Sequence, residues 1–375
     1  MKIGDYEFNL RELSGAMGDY GTLFPLAIGY IVVCGMDPAG MLLMLGLANI
    51  ITGIVYKLPM PIEPMKVLAV IAIAEAWPPS LIYASAFGMG IIWLLMAMTG
   101  LMTWVSKITP KCVVRGIQVS LGAMLALQAF SMLSSWWLLG IISIVIVLLL
   151  RENRYAPAAL VLILLGVAIM FFQGDLQKVT GINPRLPTLQ FFTLGEVWQA
   201  LVLAGFAQVP LTATNAVIST SSLIKTYWPK KAVSERKLSL NMGTMNLVAP
   251  FFGGMPMCHG AGGLAGQYYF GARTGGANIM EGAIYITLGS LLASSIASLF
   301  DSFPTAIIGA MMFLIGLEMV KFVRDVPWQV NELLPLGVTV ALSLVLNMAV
   351  GFLAGVCMYY LIKNKVKERT EHEKI

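Results

Sequence analysis

Apolar runs of roughly 17–25 residues follow one another along almost the whole chain, and no other feature constrains the fold as much. In hydrocarbon every backbone N–H and C=O must find an internal partner, so such runs fold as membrane-spanning helices. Only 11% of the 375 residues are charged and 58% are hydrophobic, against about 25% charged in a soluble globular protein. The runs lie near 14–33, 38–56, 59–75, 81–104, 114–131, 135–150, 155–173, 196–222, 235–253, 256–270, 277–298, 303–320, 331–346 and 347–363. The sequence therefore predicts an all-α polytopic membrane protein of fourteen segments. The first fourteen residues are polar and do not form the basic start of a signal peptide. After about Ile362 only a charged tail remains, so no soluble domain is expected.

Basic residues orient the segments. With the N-terminus inside, the cytoplasmic side collects Lys2, Arg11, Lys57, Lys107, Lys111, Arg115, Arg151 and Arg154. It also collects Lys225, Lys230, Lys231, Arg236, Lys237, Arg273, Lys321, Arg324 and the tail cations through Lys374. The other side holds only Lys178 and Arg185. This bias predicts both ends in the cytoplasm and an even number of spans. The net charge of +5 is of that origin and calls for no nucleic acid. Cys34, Cys112, Cys258 and Cys357 are scattered through apolar sequence and suggest no disulfide framework.

The segment 174–195 falls near mid-chain and divides a first repeat, 1–173, from a second, 196–363, before a tail at 364–375. Seven segments per repeat is an odd number, so the second repeat must be inverted. Two unusual stretches occupy matching places, Leu58-Pro59-Met60-Pro61-Ile62-Glu63-Pro64-Met65-Lys66 and Gly253 to Gln267 with its six glycines. Met60-Pro61 and Met255-Pro256 lie 195 positions apart, and each opens the third segment of its half. Matched Gly/Pro-interrupted segments point to a transporter's binding site.

If each stretch is extended backbone followed by a half-helix, two helix N-termini face each other near the midplane. Each carries roughly half a positive charge and free N–H donors, which together make an anion site. Gly260, Ala261, Gly262 and Gly263 would let an oxyanion approach the backbone, with Met60, Pro61 and Ile62 on the opposite lead. Pro61 and Pro64 suit a strand-like lead and a first helical turn. The bland alternative is that the glycines serve close helix packing.

Other polar groups stand out. Asp19 is ionisable within the first segment and is a functional candidate or a carboxylate holding a kink at Gly18 and Gly21; Thr22 can donate a hydroxyl. Gln208, Thr212 and Asn215 share one helical face beside Pro210, either toward a cavity or in interhelical hydrogen bonds. Glu63 and Lys66 are three apart, so Lys66 serves an anion or neutralises Glu63, and Glu63 is a candidate proton carrier. Cys258-His259 lacks further metal-ligand partners, so no metal is expected there, and His259 would donate to a ligand or a gate. Arg273 is a cytoplasmic anchor or a collector of anions.

Four blocks carry a resemblance: Gly15-Ala16-Met17-Gly18-Asp19-Tyr20-Gly21-Thr22, Pro59 to Lys66, Gln208-Val209-Pro210-Leu211-Thr212, and Pro256 to Ala265 with Phe270 to Gly276 beyond it. They resemble the signature blocks of the molybdate transporter family of plants, algae and prokaryotes, a relative of the sulfate permeases. The resemblance implies the uracil permease fold, with fourteen segments in two inverted repeats of seven and half-helices at segments 3 and 10. It also implies a core domain of about 14–104 plus 196–298 and a gate domain of about 114–173 plus 303–363. Two departures are the short tail, where sulfate permeases usually carry a regulatory domain, and the carboxylate at Glu63, where an amide is expected.

The expected function is secondary active transport of a tetrahedral oxyanion, molybdate first and sulfate or tungstate next. The expected place is the cell membrane, with the lipid bilayer as partner. A co-transported proton and a homodimer remain open, and no cofactor is called for. A nucleobase–proton symporter of the same fold is the nearer rival. A membrane enzyme or scaffold is the more distant one, and no nucleophile–base cluster supports an enzyme.

Overall fold

The computed structural model describes residues 1–150, 158–175 and 181–372. Arg151, Arg154, Lys178, Lys374 and the start of the seventh predicted segment lie outside the described residues.

Helices occupy the predicted runs in order. The second is Pro38–Tyr56, and its ends follow from local chemistry. The Asp37 side chain accepts from the Ala39 N–H at 3.2 Å, and Pro38 sits in the first turn, where an N–H lacks a partner anyway. Pro79–Thr99 also starts on a proline and stops at Gly100, whose φ of 73° favours glycine.

Length and apolarity alone do not give fourteen crossings. Pro38–Tyr56, Pro79–Thr99, Lys111–Leu150, Leu194–Tyr227 and Thr305–Asp325 are long and apolar enough by themselves. Thr22–Val32, Val161–Gln173, Val330–Val345 and Met348–Asn364 are shorter apolar helices. Lys111–Leu150 is 40 residues of apolar helix, about 60 Å if straight and twice the hydrocarbon thickness. It is not straight. A 3-10 turn at Ser134–Trp136 folds it back, so that a Cβ on Gly140 would lie 3.1 Å from the Leu133 carbonyl oxygen. The predicted segments 114–131 and 135–150 are the two arms of this hairpin. The eleventh segment is bent by 82° between Gly276–Leu291 and Ala293–Phe300.

The packing partners follow a pattern. Pro38–Tyr56 packs along Gly276–Leu291, and Pro79–Thr99 along Glu235–Val248. Lys111–Leu133 packs along Thr305–Lys321. Trp137–Leu150 packs against Ala158–Gln173, and Val330–Val345 against Met348–His372. Exchanging the two predicted halves, segment for segment, returns the same set of pairs. Glycine brings the first pair together. A Cβ on Gly46 would sit 2.5 Å from the Gly282 carbonyl oxygen, and one on Gly53 2.6 Å from that of Gly275. Small residues let helix backbones approach closely in a membrane.

The polar ends sort by side. At the C-terminal end of Pro38–Tyr56, Lys57 meets Asp5 at 2.7 Å and Lys237 donates to the Val55 carbonyl at 3.1 Å. At its N-terminal end, Asp37 faces Arg185 of the mid-chain loop at 3.6 Å. That loop is held across the helix ends by Asn183 N–H on Leu291 O, Arg185 N–H on Ser290 O and Gln190 N–H on Phe251 O. The first residues form a small hairpin, Lys2–Ile3 against Tyr6–Glu7.

Candidate functional site

The two interrupted stretches meet. Glu63–Pro64 and Met257–Cys258 pair as antiparallel strands, with Glu63 opposite Cys258 and Pro64 opposite Met257. The Met65 N–H donates to the Pro256 carbonyl at 2.9 Å. Each strand runs directly into a short helix, Lys66–Ala74 or Ala261–Phe270. Because the strands are antiparallel, the half-helices leave in opposite directions from N-termini that lie side by side. Pro61 and Pro64 bias the residues before them toward extended backbone. Pro64 itself lies in the strand, not in the first helical turn where the sequence had placed it, because the helix starts only at Lys66.

Uncoiled backbone at this depth needs partners, and asparagines supply them. Asn278 accepts from the Met60 N–H at 2.8 Å and donates to the Met60 carbonyl at 2.6 Å. Its amide nitrogen also donates to Asn49 Oδ1 at 2.8 Å. Asn246 does the same for Met257, accepting from its N–H at 2.8 Å and donating to its carbonyl at 2.6 Å. All three asparagines are buried. The Asn278 and Asn246 amides each act as one more peptide group beside the extended backbone, and Asn49 orients Asn278. Sequence reading missed all three.

The first half-helix begins on a side-chain cap. Gln208 Oε1 accepts from the Val67 N–H at 2.7 Å and the Leu68 N–H at 3.4 Å. The Gln208 amide nitrogen donates to Thr212 Oγ1 at 2.5 Å, four residues along the same helix. The predicted polar face of Gln208 and Thr212 is therefore turned onto the half-helix. Asn215 falls in a π-helical stretch, Ala213–Ser219, and is half-buried. A second π-helical stretch, Leu201–Gly205, precedes Pro210. Such widened turns absorb the hydrogen bond that a proline cannot make.

The second half-helix begins against a carboxylate. A Cβ on Gly260 would lie 2.7 Å from Glu63 Oε2, and one on Gly263 would overlap Glu63 Oε1. Glycine at these two positions leaves the space that the Glu63 carboxylate fills. Glu63 Oε2 is 3.2 Å from Lys66 Nζ, with the Glu63 side chain 2% exposed and that of Lys66 22%. Between the two closed positions, Gly262 is exposed and nothing would meet a Cβ there within 4 Å. Ala261 is half-buried. The first N–H groups of a helix have no intrahelical acceptor, so this turn presents donors toward open space.

The remaining candidates separate. Met60, Ile62 and His259 are buried at the strand crossing, and the His259 Nδ1 lies 3.2 Å from the Pro61 carbonyl. The His259 ring meets Tyr56 edge-on at 5.7 Å. Cys258 Sγ is a weak donor to the Pro64 carbonyl at 3.9 Å. Asp19 is buried in the 3-10 turn Met17–Asp19, which packs on the second half-helix, and Thr22 is half-buried. Arg273 is engaged locally: its guanidinium lies 3.7 Å over the Tyr268 ring and donates to the Ala272 carbonyl at 2.7 Å. Buried Glu12, which the sequence did not single out, accepts from the Arg273 N–H at 3.0 Å and the Thr274 N–H at 3.2 Å. Those contacts fit the anchor reading of Arg273.

Comparison with known proteins agrees with this architecture. A family model described as "Molybdate transporter of MFS superfamily" matches residues 11–125 and 200–319. Molybdate transporter 1 of Arabidopsis thaliana is 32% identical, over 95% of this chain and 89% of its own. Molybdate transporter 1 of Chlamydomonas reinhardtii is 26% identical, over 92% of this chain and 89% of its own. The fold is similar to that of SLC26A9, at a TM-score of 0.72 and 14% identity over 96% of this chain and 66% of that one. It is also similar to the transmembrane domain of the cyanobacterial bicarbonate transporter BicA, at 0.66 and 16% over 92% and 97%. With its apolar helices, its strand crossing and its matched signature blocks, this multi-pass membrane protein belongs to the molybdate transporter family.

Proposed function

We propose that the chain is a secondary active transporter of a tetrahedral oxyanion, molybdate in the first place and sulfate or tungstate next. One observation carries the reading: two half-helices start side by side from antiparallel strands, and one start opens onto free space at Gly262. The relatives named as molybdate transporters point to the same substrate class.

The oxyanion would dock on the N–H groups of Ala261, Gly262 and Gly263. Lys66 faces it, and Asp19, Thr22 and Asn215 complete the polar surround. Two helix termini offer only about one positive charge together. Lys66 adds one, which Glu63 offsets at 3.2 Å. A dianion therefore needs a further positive charge or a proton on a nearby carboxylate. Transport would proceed by movement of a core, about 14–104 plus 196–298, against a gate, about 114–173 plus 303–363. The exchange-symmetric helix pairs support two inverted repeats. The basic end of Pro38–Tyr56 supports cytoplasmic termini, in the cell membrane.

The test is uptake of labelled molybdate by proteoliposomes, with sulfate, tungstate and uracil as competitors. Uptake competed by the oxyanions and not by uracil is expected. Absence of uptake, or uptake blocked only by uracil, overturns the reading in favour of a nucleobase carrier or another function.

A further inference from the structure

Two buried acids, Asp19 and Glu281, make no hydrogen bond to the strand crossing. Glu281, on Gly276–Leu291, is 1% exposed, and its Oε1 accepts from the Tyr285 hydroxyl at 2.8 Å. Its Oε2 is buried and has no hydrogen-bond partner among the described residues. Asp19 is 4% exposed, and its Oδ1 is buried without a partner in the same way. The ring of Tyr20, the chain neighbour of Asp19, lies 6.4 Å from that of Tyr285, which holds Glu281, so the two acids share one part of the interior. Beside them, on the half-helix packed against the Met17–Asp19 turn, both amide atoms of Gln267 are buried and unpartnered.

Lys66 is paired with Glu63 at 3.2 Å. Among the described residues neither Asp19 nor Glu281 has an ion pair of its own. Two ionised carboxylates in one low-dielectric pocket are strongly unfavourable, and such a pair takes up a proton. A divalent metal is a poorer fit. Among the described residues no group of three or more His, Cys, Asp and Glu side chains could hold one.

We propose that Asp19 and Glu281 form a proton-carrying pair that couples proton movement to oxyanion transport. This rests on the transport reading above. A proton from water on one side forms an O–H bond with a carboxylate oxygen of the pair. It is released to water on the other side after the core has moved, and no electrons change hands. Tyr285 stabilises the remaining negative charge by donating to Glu281. The link to the oxyanion is short. A Cβ on Gly18, the neighbour of Asp19, would lie 2.5 Å from the carbonyl carbon of Gly266 in the second half-helix. An ionised pair repels an incoming dianion at that half-helix, and a singly protonated pair repels it less.

The experiment uses the full chain in proteoliposomes with wild type, Asp19→Asn, Glu281→Gln and Tyr285→Phe. Wild-type molybdate uptake should rise severalfold when the outside is made acidic, with proton entry reported by a trapped pH dye. A sodium gradient should not substitute. Asp19→Asn and Glu281→Gln should lose the acid stimulation and the proton entry, and Glu281→Gln, which lies outside the oxyanion's polar surround, should retain molybdate–molybdate exchange at equal pH. Tyr285→Phe should move the pH of half-stimulation. Infrared spectroscopy of purified protein gives a readout without substrate: a protonated-carboxyl C=O band present in wild type and missing in Glu281→Gln or Asp19→Asn. The band with no molybdate uptake would overturn the transport reading and leave the proton site standing. Unchanged proton entry in both variants, a sodium-driven wild type, or no such band would overturn the pair.

Discussion

Asn278 holds Met60 by both of its backbone polar groups, accepting from the N–H at 2.8 Å and donating to the carbonyl at 2.6 Å. Met60 is fully buried, so no water can replace these bonds. Asn278→Ala leaves two buried groups unpaired, at about 1–3 kcal/mol each. Asn246→Ala does the same to Met257 on the opposite strand. Both variants should melt well below wild type in detergent, by similar amounts. Unchanged melting in either would mean that the strands are held by something other than these amides.

The segments were legible because lipid enforces helix on every apolar run. Pro38–Tyr56 coincides with its prediction, since Asp37, Pro38 and Lys57 punctuate it in the sequence. The strand crossing was legible because prolines and glycines crowd Pro59–Lys66 and Gly253–Gln267 in matching places. The partners of that crossing were not. A lone Asn49, Asn246 or Asn278 in an apolar run reads as a generic interhelical bond until the unpaired backbone of Met60 or Met257 is placed beside it. Glu281 was passed over for the same reason, since its meaning depends on Asp19, which lies far away in sequence. The 82° break after Leu291 has neither proline nor glycine at Leu292 to announce it. Gln208 reads in the sequence as one of a polar stripe, toward a cavity or in interhelical hydrogen bonds, and only the fold shows that its oxygen caps the first half-helix.

Gln208 and Thr212 should behave as one unit. Thr212 Oγ1 fixes which end of the Gln208 amide faces Val67, by accepting from its nitrogen. Gln208→Ala uncaps the half-helix, a loss of about 0.5–2 kcal/mol. That is roughly 2- to 30-fold in an equilibrium constant. Thr212→Val keeps the shape and lets the amide rotate, so its effect on molybdate uptake should be smaller. The double variant should be no worse than Gln208→Ala alone, because Thr212 acts through Gln208. Additive losses in uptake would show instead that Thr212 acts independently of Gln208.

The N-terminal hairpin should loosen in acid. Lys57 donates to Asp5 at 2.7 Å and holds its carboxyl below the ordinary 3.8, chiefly by that hydrogen bond and then by its charge. A depressed carboxyl stabilises the folded contact above its unfolded value and loses that contribution as pH falls through the folded one. The window therefore lies below about pH 4. Hydrogen exchange of Lys2 to Glu7 should quicken there in wild type. Asp5→Asn should show the faster exchange already at neutral pH, with no further acid step from this contact. The Tyr6 hydroxyl on the Ile54 carbonyl and the Glu7 N–H on Thr274 Oγ1 remain, so the hairpin frays rather than detaches. Equal exchange in the two proteins at neutral pH would remove the ion pair from this account.

Gly262 and Gly263 are neighbours with opposite surroundings, and their substitutions should part accordingly. A methyl group on Gly263 collides with Glu63 Oε1 and comes within 3.0 Å of the Pro61 Cβ. Glu63 is buried and tied to Lys66, so it cannot move aside cheaply. Gly263→Ala should cost about 1–3 kcal/mol, the usual range for overpacking, and lower the melting temperature. Gly262→Ala meets nothing and should melt like wild type. Gly262→Leu extends into the open space at the start of the second half-helix. If that space receives the oxyanion, this variant keeps its melting temperature and loses molybdate uptake. The same result cannot come from misfolding, because stability is measured on the same protein. Normal uptake by Gly262→Leu would place the oxyanion away from this turn, and with it the role assigned to the N–H groups of Ala261, Gly262 and Gly263.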